Sequence, residues 1–542
     1  MTSNDLFERI IAYHERTKHR FERYATGPDF LDWDQQPDPF RTYSDAPQVP
    51  LTHEFDFLPD PTIQELDRMH PLKPLSAWDT RELAGLLRFA LGLSAWKSFG
   101  PDRWSLRCNP SSGNLHPTEC YLVLQGITGF QDGVYHYHPY QHALELRCGF
   151  EKPAQSNDQP ARIWLALSSI AWREAWKYGE RAFRYVQLDL GHAVGTLAYS
   201  AAIQGYRLQR LPMERRDIAR LIGLDRVADS QSVEPEVPDL LLDLAALDDT
   251  ETVPTPPSRI SIPAVNEWHG LPNRLSTQSR HPWPVIDRLE QSLLGAPLPA
   301  DVQALIPDWP DPPELTAVSA REMILQRRSA QAFNSKATCD AGDFFNLLDQ
   351  TLPRRDRVPW SSWQIDPRVH LLIFAHKVRE LDPGLYLLCR NPSHLESLKT
   401  AMDSRFEWSP LPSAPAHLPL YKLLSTEAKR AARALSCHQD IAASSYFSLG
   451  MLSYFEPVLH ERGPQIYPEL FWEAGLIGQV LYLQAEAMNM RGTGIGCFFD
   501  DGVHEILGLQ DRQFQSLYHF TVGQPKQDDR LQTHPPYQHL ES

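Results

Sequence analysis

Four short stretches hold residue types that could do chemistry. Residues 109–119 read NPSSGNLHPTE, with Pro110, Ser111, Ser112, Gly113 and Asn114 ahead of a strand-like apolar run. A turn of this kind presents backbone N–H groups and small hydroxyls with little steric cover, as a planar polar ligand requires. Residues 325–333 read LQRRSAQAF. There two guanidinium forks and a hydroxyl can share a phosphate, although an Arg-Arg pair alone is more often a solvated face. Lys177 and Tyr178 follow Trp172 and Trp176. A lysine desolvated among such rings has a lowered pKa and can act as a base; the bland alternative is a surface lysine whose stem lies over indole. GTGIG at 492–496 has the look of a dinucleotide loop, but it follows a helix-like segment instead of opening one after a strand, so a different use of these glycines is favoured. His116 and His192 are further candidates for proton handling, with satisfied structural histidines the commoner outcome. Glu119 is expected to cap or pair locally, and Trp172, Trp176, Phe183 and Tyr185 are more often core than a substrate wall.

The elements that must position these residues repeat. Ser111 and Ser112 fall on Ser361 and Ser362 of WSSWQIDPRVHLLIF, Pro117 on Pro367, and Leu122 on Leu372. A helix expected over 181–206 is echoed over 465–490, with Gly191 on Gly475, Leu197 on Leu481 and Ala201 on Ala485. Gly191 and Gly195, four apart, allow close helix–helix approach. Gly133-Val134-Tyr135 with Leu144-Glu145 reads as a hairpin, and Gly384-Leu385-Tyr386 with Leu395-Glu396 repeats its spacing. Residues 163–170 read as a buried strand, and 80–93 as a helix with Thr80 as N-cap candidate. Three landmarks repeated in one order make an internal duplication.

The expected organisation is an N-terminal arm (1–75), a first domain (76–248), a connector (249–318), a second domain (319–530) and a short tail (531–542). Residues 251–315 hold thirteen prolines, interrupted by a helix-like piece near 285–294. Such a connector is semi-rigid and extended, able to carry the chain across one domain before starting the next. Two copies of one fold joined this way are expected to pack as a pseudo-twofold dimer within the chain. The copies differ where chemistry would sit. Gly113 and Asn114 become Trp363 and Gln364 in the second copy, and the place of RRS in the first copy, near 65–68, lacks that motif. Each copy keeps a different half of a site.

Length and composition bound the function. At 542 residues the chain is long enough for at least two cores. The net charge of −16 argues against nucleic acid or an anionic membrane as the main partner, leaving room for a local phosphate pocket. Seven scattered cysteines with no CxxC give no zinc or disulfide framework. The N-terminus is charged from its fifth residue and lacks an apolar signal core, and no apolar run reaches membrane-spanning length. A soluble, cytoplasmic protein is expected.

LQRRSAQAF, PSSGNLHPTE and the late run AMNMRGTGIGCFFDDGVHEILGL (487–509), followed by VGQP at 522–525, resemble the nitroreductase-like flavoprotein superfamily, FMN enzymes of α+β fold whose sites lie at a dimer interface. HPTE, YHERTKHR near the N-terminus and Lys177-Tyr178-Gly179 more narrowly resemble the SagB-type branch, which includes azoline dehydrogenases that make thiazoles and oxazoles in peptides. The resemblance covers roughly residues 80–245 and 319–530. It implies that Arg327, Arg328, Ser329 and Gln331 hold the FMN phosphate, with Arg530 as a further cation; Gln331 departs from the usual basic residue. It implies that Pro110, Ser111, Ser112 and Asn114 border the ribityl chain and ring, and that the amides of Gly494, Ile495 and Gly496 approach the N5 and O4 edge. Lys177 and Tyr178 would remove the proton that accompanies hydride loss to flavin. The expectation is one FMN per chain and a small-molecule or peptide substrate oxidised at a carbon–heteroatom bond. An NAD(P)H-dependent nitroreductase-like enzyme and a non-catalytic scaffold or peptide-binding member of a modification complex are the alternatives, and further oligomerisation is left open.

Overall fold

The structure, a computed structural model, describes residues 2–150, 161–226, 233–247, 265–278, 281–299, 304–313 and 318–540. The expected connector at 249–318 falls partly outside these residues.

The chain opens with helix α1 (Ser3–Arg16), held at its start by a capping box between Thr2 and Asp5. Helix α2 (Thr80–Ala90) is capped by Asp79, whose carboxylate accepts from the Arg81 amide while Glu82 reaches back to the Asp79 amide. The cap therefore lies one residue before Thr80. A hairpin, β1 (Leu93–Phe99) and β2 (Asp102–Arg107), leads into the PSSGN turn. Then follow β3 (Thr118–Gln125), β4 (Gly133–His138), β5 (Ala143–Phe150), β6 (Arg162–Ser169), helices α3 (Ala171–Tyr178) and α4 (Ala182–Ile203), β7 (Tyr206–Leu211) and β8 (Val237–Ala246). After the connector helix α5 (Pro284–Leu294) come α6 (Ala320–Gln326), β9 (Val369–Ala375), β10 (Gly384–Leu388), β11 (Leu420–Ser425), β12 (Phe447–Tyr454), α7 (Tyr467–Ala487), β13 (Arg491–Ile495) and β14 (Phe514–Gly523).

Two antiparallel sheets result. One runs β5-β4-β3-β6-β8-β7 and the other β11-β10-β9-β12-β14-β13, strand for strand the same order. The registers correspond as well: Leu122 lies opposite Leu165 and Leu372 opposite Gly450, while Leu211 lies opposite Leu241 and Ile495 opposite His519. Between the sheets, α4 and α7 cross in close contact. A Cβ added at Gly191 would lie 2.2 Å from the Trp472 carbonyl oxygen, and one at Gly475 2.1 Å from that of Leu188. Every residue of α4 is buried, and its polar side chains Arg184, Gln187, Asp189 and His192 are each hydrogen-bonded.

One expected hairpin does not form. Gly384–Leu388 pairs with Leu420–Ser425, and Leu395–Ala401 is a helix. The local sequence explains it: Asn391 accepts from the Ser393 amide, Pro392 fits a first turn, and Glu396 pairs with Lys399 one turn on. The connector is also less free than its prolines imply. Val265–Trp268 lies antiparallel along the edge of β5, and Leu271–Pro272 pairs with Tyr43–Ser44.

The termini tie the halves together. Tyr13 donates to the Glu180 carbonyl at 2.8 Å, while the His14 ring meets Tyr467 and Gln515, each at 3.2 Å. Asp500 receives Arg181 and Arg184 from the opposite half. Gln532–His534 adds a strand to β1. Among the described residues no helix is long and apolar enough to cross a membrane.

Candidate functional site

A cavity of about 900 Å³ opens where the first half's PSSGN turn faces the second half's Arg-rich loop. Pro110, Ser111, Ser112, Asn114, Tyr178, Arg327, Arg328, Ser329, Gln331, Gly494, Ile495 and Gly496 all border it. Lys177 stands at its edge: its Nζ lies 3.3 Å, and the Tyr178 hydroxyl 2.6 Å, from where a Cβ on Gly113 would sit. Gly113 has φ +60°, so glycine serves both the backbone and the approach of these two polar groups. Arg530 does not border the cavity. It is exposed and pairs with Asp528 at 2.6 Å.

The serines of the turn do a different task from the one their exposure in sequence implies. Ser111 Oγ donates to Asp189 at 2.7 Å; Ser112 donates to the same carboxylate from its amide at 3.0 Å and its hydroxyl at 2.9 Å. Asp189, on α4, thus clamps the turn. Asn114 also turns inward, donating to the Ser105 carbonyl at 2.9 Å. Asp189 was not singled out from sequence, although a lone carboxylate in an otherwise apolar helix is the signal that could have found it.

The second half supplies positive charge. Arg327 is buried and donates to the carbonyls of Cys108 (3.2 Å) and Arg107 (3.3 Å), its guanidinium 5.1 Å from the Tyr482 ring centre. Arg328 donates to Leu325 and Arg327 carbonyls. Lys97, from β1, reaches the same cavity and donates to Thr533. Among the described residues no carboxylate pairs with Lys97, Arg327 or Arg328; Arg491 alone has Glu486, at 3.2 Å. Burial, with Arg327 alongside, pushes Arg328 down to about 10; burial and the charges of Arg328 and Arg491 lower Lys97. Glu486, which also accepts from the Arg328 amide at 3.1 Å, is the one carboxylate paired into the cluster among the described residues, so the four cations keep a net positive charge suited to an anion. Lys97 and Arg491 were missed in the sequence because neither lies in the RRS motif.

Glycine 494 and 496 are needed for ring packing. A Cβ on Gly494 would meet the Tyr518 hydroxyl at 1.7 Å, and one on Gly496 the Tyr185 ring at 1.9 Å. The Gly494 amide donates to the Tyr482 hydroxyl at 2.9 Å, which also bonds Ser329 Oγ at 2.8 Å. Tyrosines 185, 482 and 518 therefore form an aromatic wall. His192 Nε2 contacts the Tyr518 hydroxyl at 3.2 Å, and burial pushes its ring down to about 3. His116, lowered by burial and then by Arg107 and Arg173, is likewise neutral. Neither histidine is set up to exchange protons near neutrality. Glu119 is engaged by Arg173 and His136. Trp172 and Trp176 are core residues whose indoles donate to Ser276 and Asp32.

In register, Arg210 of β7 occupies the position that Gly494 holds in β13. Its guanidinium lies 5.6 Å from Trp363 and 5.4 Å from Trp472, and it pairs with Glu469 at 2.6 Å. Trp363, which the sequence repeat aligns with Gly113, is buried.

No protein-family model matches this chain. It is 29% identical over 133 residues to MJ1384 of Methanocaldococcus jannaschii, which carries the name nitroreductase. It is 32% identical over 109 residues to the trifolitoxin-processing protein TfxB of Rhizobium leguminosarum bv. trifolii. The matches span 23% and 18% of this chain, and 64% and 29% of those relatives. A crystal structure from Anabaena variabilis, also named for a nitroreductase, superposes with a TM-score of 0.66 at 23% identity, covering 96% of this chain and 99% of that one. The chain has a mixed α+β, nitroreductase-like fold.

Proposed function

We propose that this chain is an FMN-dependent oxidoreductase of the SagB type that oxidises a carbon–heteroatom bond, with azoline-to-azole conversion in a peptide as the favoured reaction. The observation that carries this reading is the meeting, at one cavity, of a net positive cluster (Arg327, Arg328 and Arg491 with Lys97) with Tyr178 in its lining and Lys177 at its edge. The name of TfxB, a toxin-processing protein, supports a peptide substrate. The matching sheets support two tandem copies, 76–248 and 319–530, packed as a pseudo-twofold pair, with one site furnished and its mate filled by Arg210.

The donor set fits FMN. Lys97, Arg327, Arg328 and Ser329 would hold the phosphate, and the Pro110–Asn114 turn and the tyrosine wall would flank the ring, within a cavity of ordinary cofactor size. Gln331 borders the anion end without adding charge, and Arg530 stays outside it. When bound, FMN supplies the hydride acceptor. Azoline oxidation removes two hydrogens, one as hydride and one as a proton. Burial and the neighbouring Glu174 charge push the Tyr178 phenol well up, so it remains a neutral donor that orients substrate, and Lys177 takes the proton.

Replacing Lys177 with Ala should abolish azoline turnover while the purified protein keeps about one FMN per chain by absorbance. Full turnover in this variant would remove the lysine from the mechanism. Rapid anaerobic bleaching of bound flavin by NAD(P)H would favour a nitroreductase-like activity instead, and a colourless protein that takes up no added FMN would favour a scaffold.

A further inference from the structure

Behind the turn lies a second acidic group that the proposed reaction has not used. Glu174 sits on α3, three and four residues before Lys177 and Tyr178, so all three share one helical face. It is fully buried. Neither of its oxygens accepts from any N–H or hydroxyl donor among the described residues. α3 packs on α4, and the Glu174 carboxyl interacts with that of Asp189, which clamps the same turn that Lys177 and Tyr178 approach at Gly113. Two buried carboxyls that interact need a proton between them, and Arg173, the nearest guanidinium in sequence, is turned toward Glu119 and the His116 carbonyl. Asp189 borders the cavity and anchors Ser111 and Ser112, so the pair connects the buried side of the turn with its substrate side.

We propose that Glu174 and Asp189 share one proton as a singly charged pair and receive the proton that the substrate hands to Lys177. The transfer balances. The Lys177 ammonium gives up a proton, the pair passes from monoanion to two neutral carboxyls, and the amine is free again. The proton leaves through the cavity when product departs. The proton source rests on the proposed function; the shared proton does not. The charged and titrating groups facing the pair are Lys177 and Arg173 from its own helix, with Tyr178, Tyr185 and Tyr518 around the cavity. Burial, with the Asp189 charge next, pushes Glu174 well above the carboxylate range, and burial pushes Asp189 up to about 7 against the lowering effect of the serine bonds. Both directions accord with a pair that stays half-protonated near neutrality.

The test is infrared spectroscopy of the full-length protein, without substrate, in H2O and D2O. We expect a protonated-carboxyl carbonyl band at pH 7 that shifts in D2O, fades as the pH is raised, and is absent from Glu174→Gln. Absence of such a band in the wild type at pH 7 overturns the pair without recourse to any variant, and so does a band that Glu174→Gln leaves unchanged. In turnover, Glu174→Gln should flatten the pH dependence of kcat and leave KM within about twofold. A wild-type protein that shows the band but does not oxidise azolines would sink the assigned reaction and leave the shared proton standing.

Discussion

At the scale of single residues, the cation cluster makes the sharpest demand. Arg328 is pushed down to about 10 by burial and by Arg327, a strain that a phosphate dianion would relieve. Arg328→Ala should weaken FMN binding by roughly 10- to 100-fold, the worth of one or two hydrogen bonds to a charged group, read by fluorescence titration. Arg530→Ala, remote from the cavity, should leave that affinity unchanged. Cys497 offers an independent check of the wall opposite. The interaction with Cys437, and after it His19 and Arg181, lower its thiol against the opposing effect of burial. Iodoacetamide at pH 6 should therefore label it at least about tenfold faster than an ordinary cysteine, and Cys437→Ser should slow the reaction. Equal rates would show that the thiol is not acidified. PSSGN and RRS were legible because their composition departs from their surroundings. Asp189 and Glu174 were not, because neither carboxylate lies in a recognisable motif and the meaning of each depends on what faces it.

Among elements, the crossing of α4 and α7 is the hinge of the architecture. Gly191→Ala places a methyl against the Trp472 carbonyl, a backbone atom that cannot swing aside. We expect a loss of about 1–3 kcal/mol in urea unfolding, with the slope unchanged. The crossing was readable from the glycine spacing, and β3 and β9 from their apolar runs. The second copy's hairpin was misread because its spacing was matched while Asn391, Pro392 and the Glu396–Lys399 pair, which signal a helix start, were not weighed. The register that puts Arg210 where Gly494 sits is set by sheet pairing across more than thirty residues of sequence, beyond the reach of local pattern.

For the whole molecule, stability should peak near neutrality. His136 is pushed up to about 9 through hydrogen bonds to Glu119 and Glu145 that outweigh its burial. A raised pKa means that this contribution is fully present below the unfolded value near 6.5 and is lost as pH rises through about 9. His14, His116 and His370 are shifted the other way by burial. The unfolded chain takes up protons that these buried rings refuse, so stability also falls as pH drops below about 6.5. Urea midpoints measured from pH 5 to 10 should trace a maximum between these limits, and a flat profile would contradict the burial of these rings.

The guanidinium of Arg210 has an evolutionary corollary. On the proposed two-copy reading, restoring glycine and asparagine at positions 363 and 364 would not by itself awaken a twin reaction chamber, because Arg210, set against Trp363 and Trp472 and paired with Glu469, stands at the matching strand position. Symmetry could return only by removing Arg210 and rebuilding an anion grip near residues 65–68 together. On the same reading, one site serves the whole chain, and the half that carries Arg210 is held to its sequence only by the packing its neighbour requires.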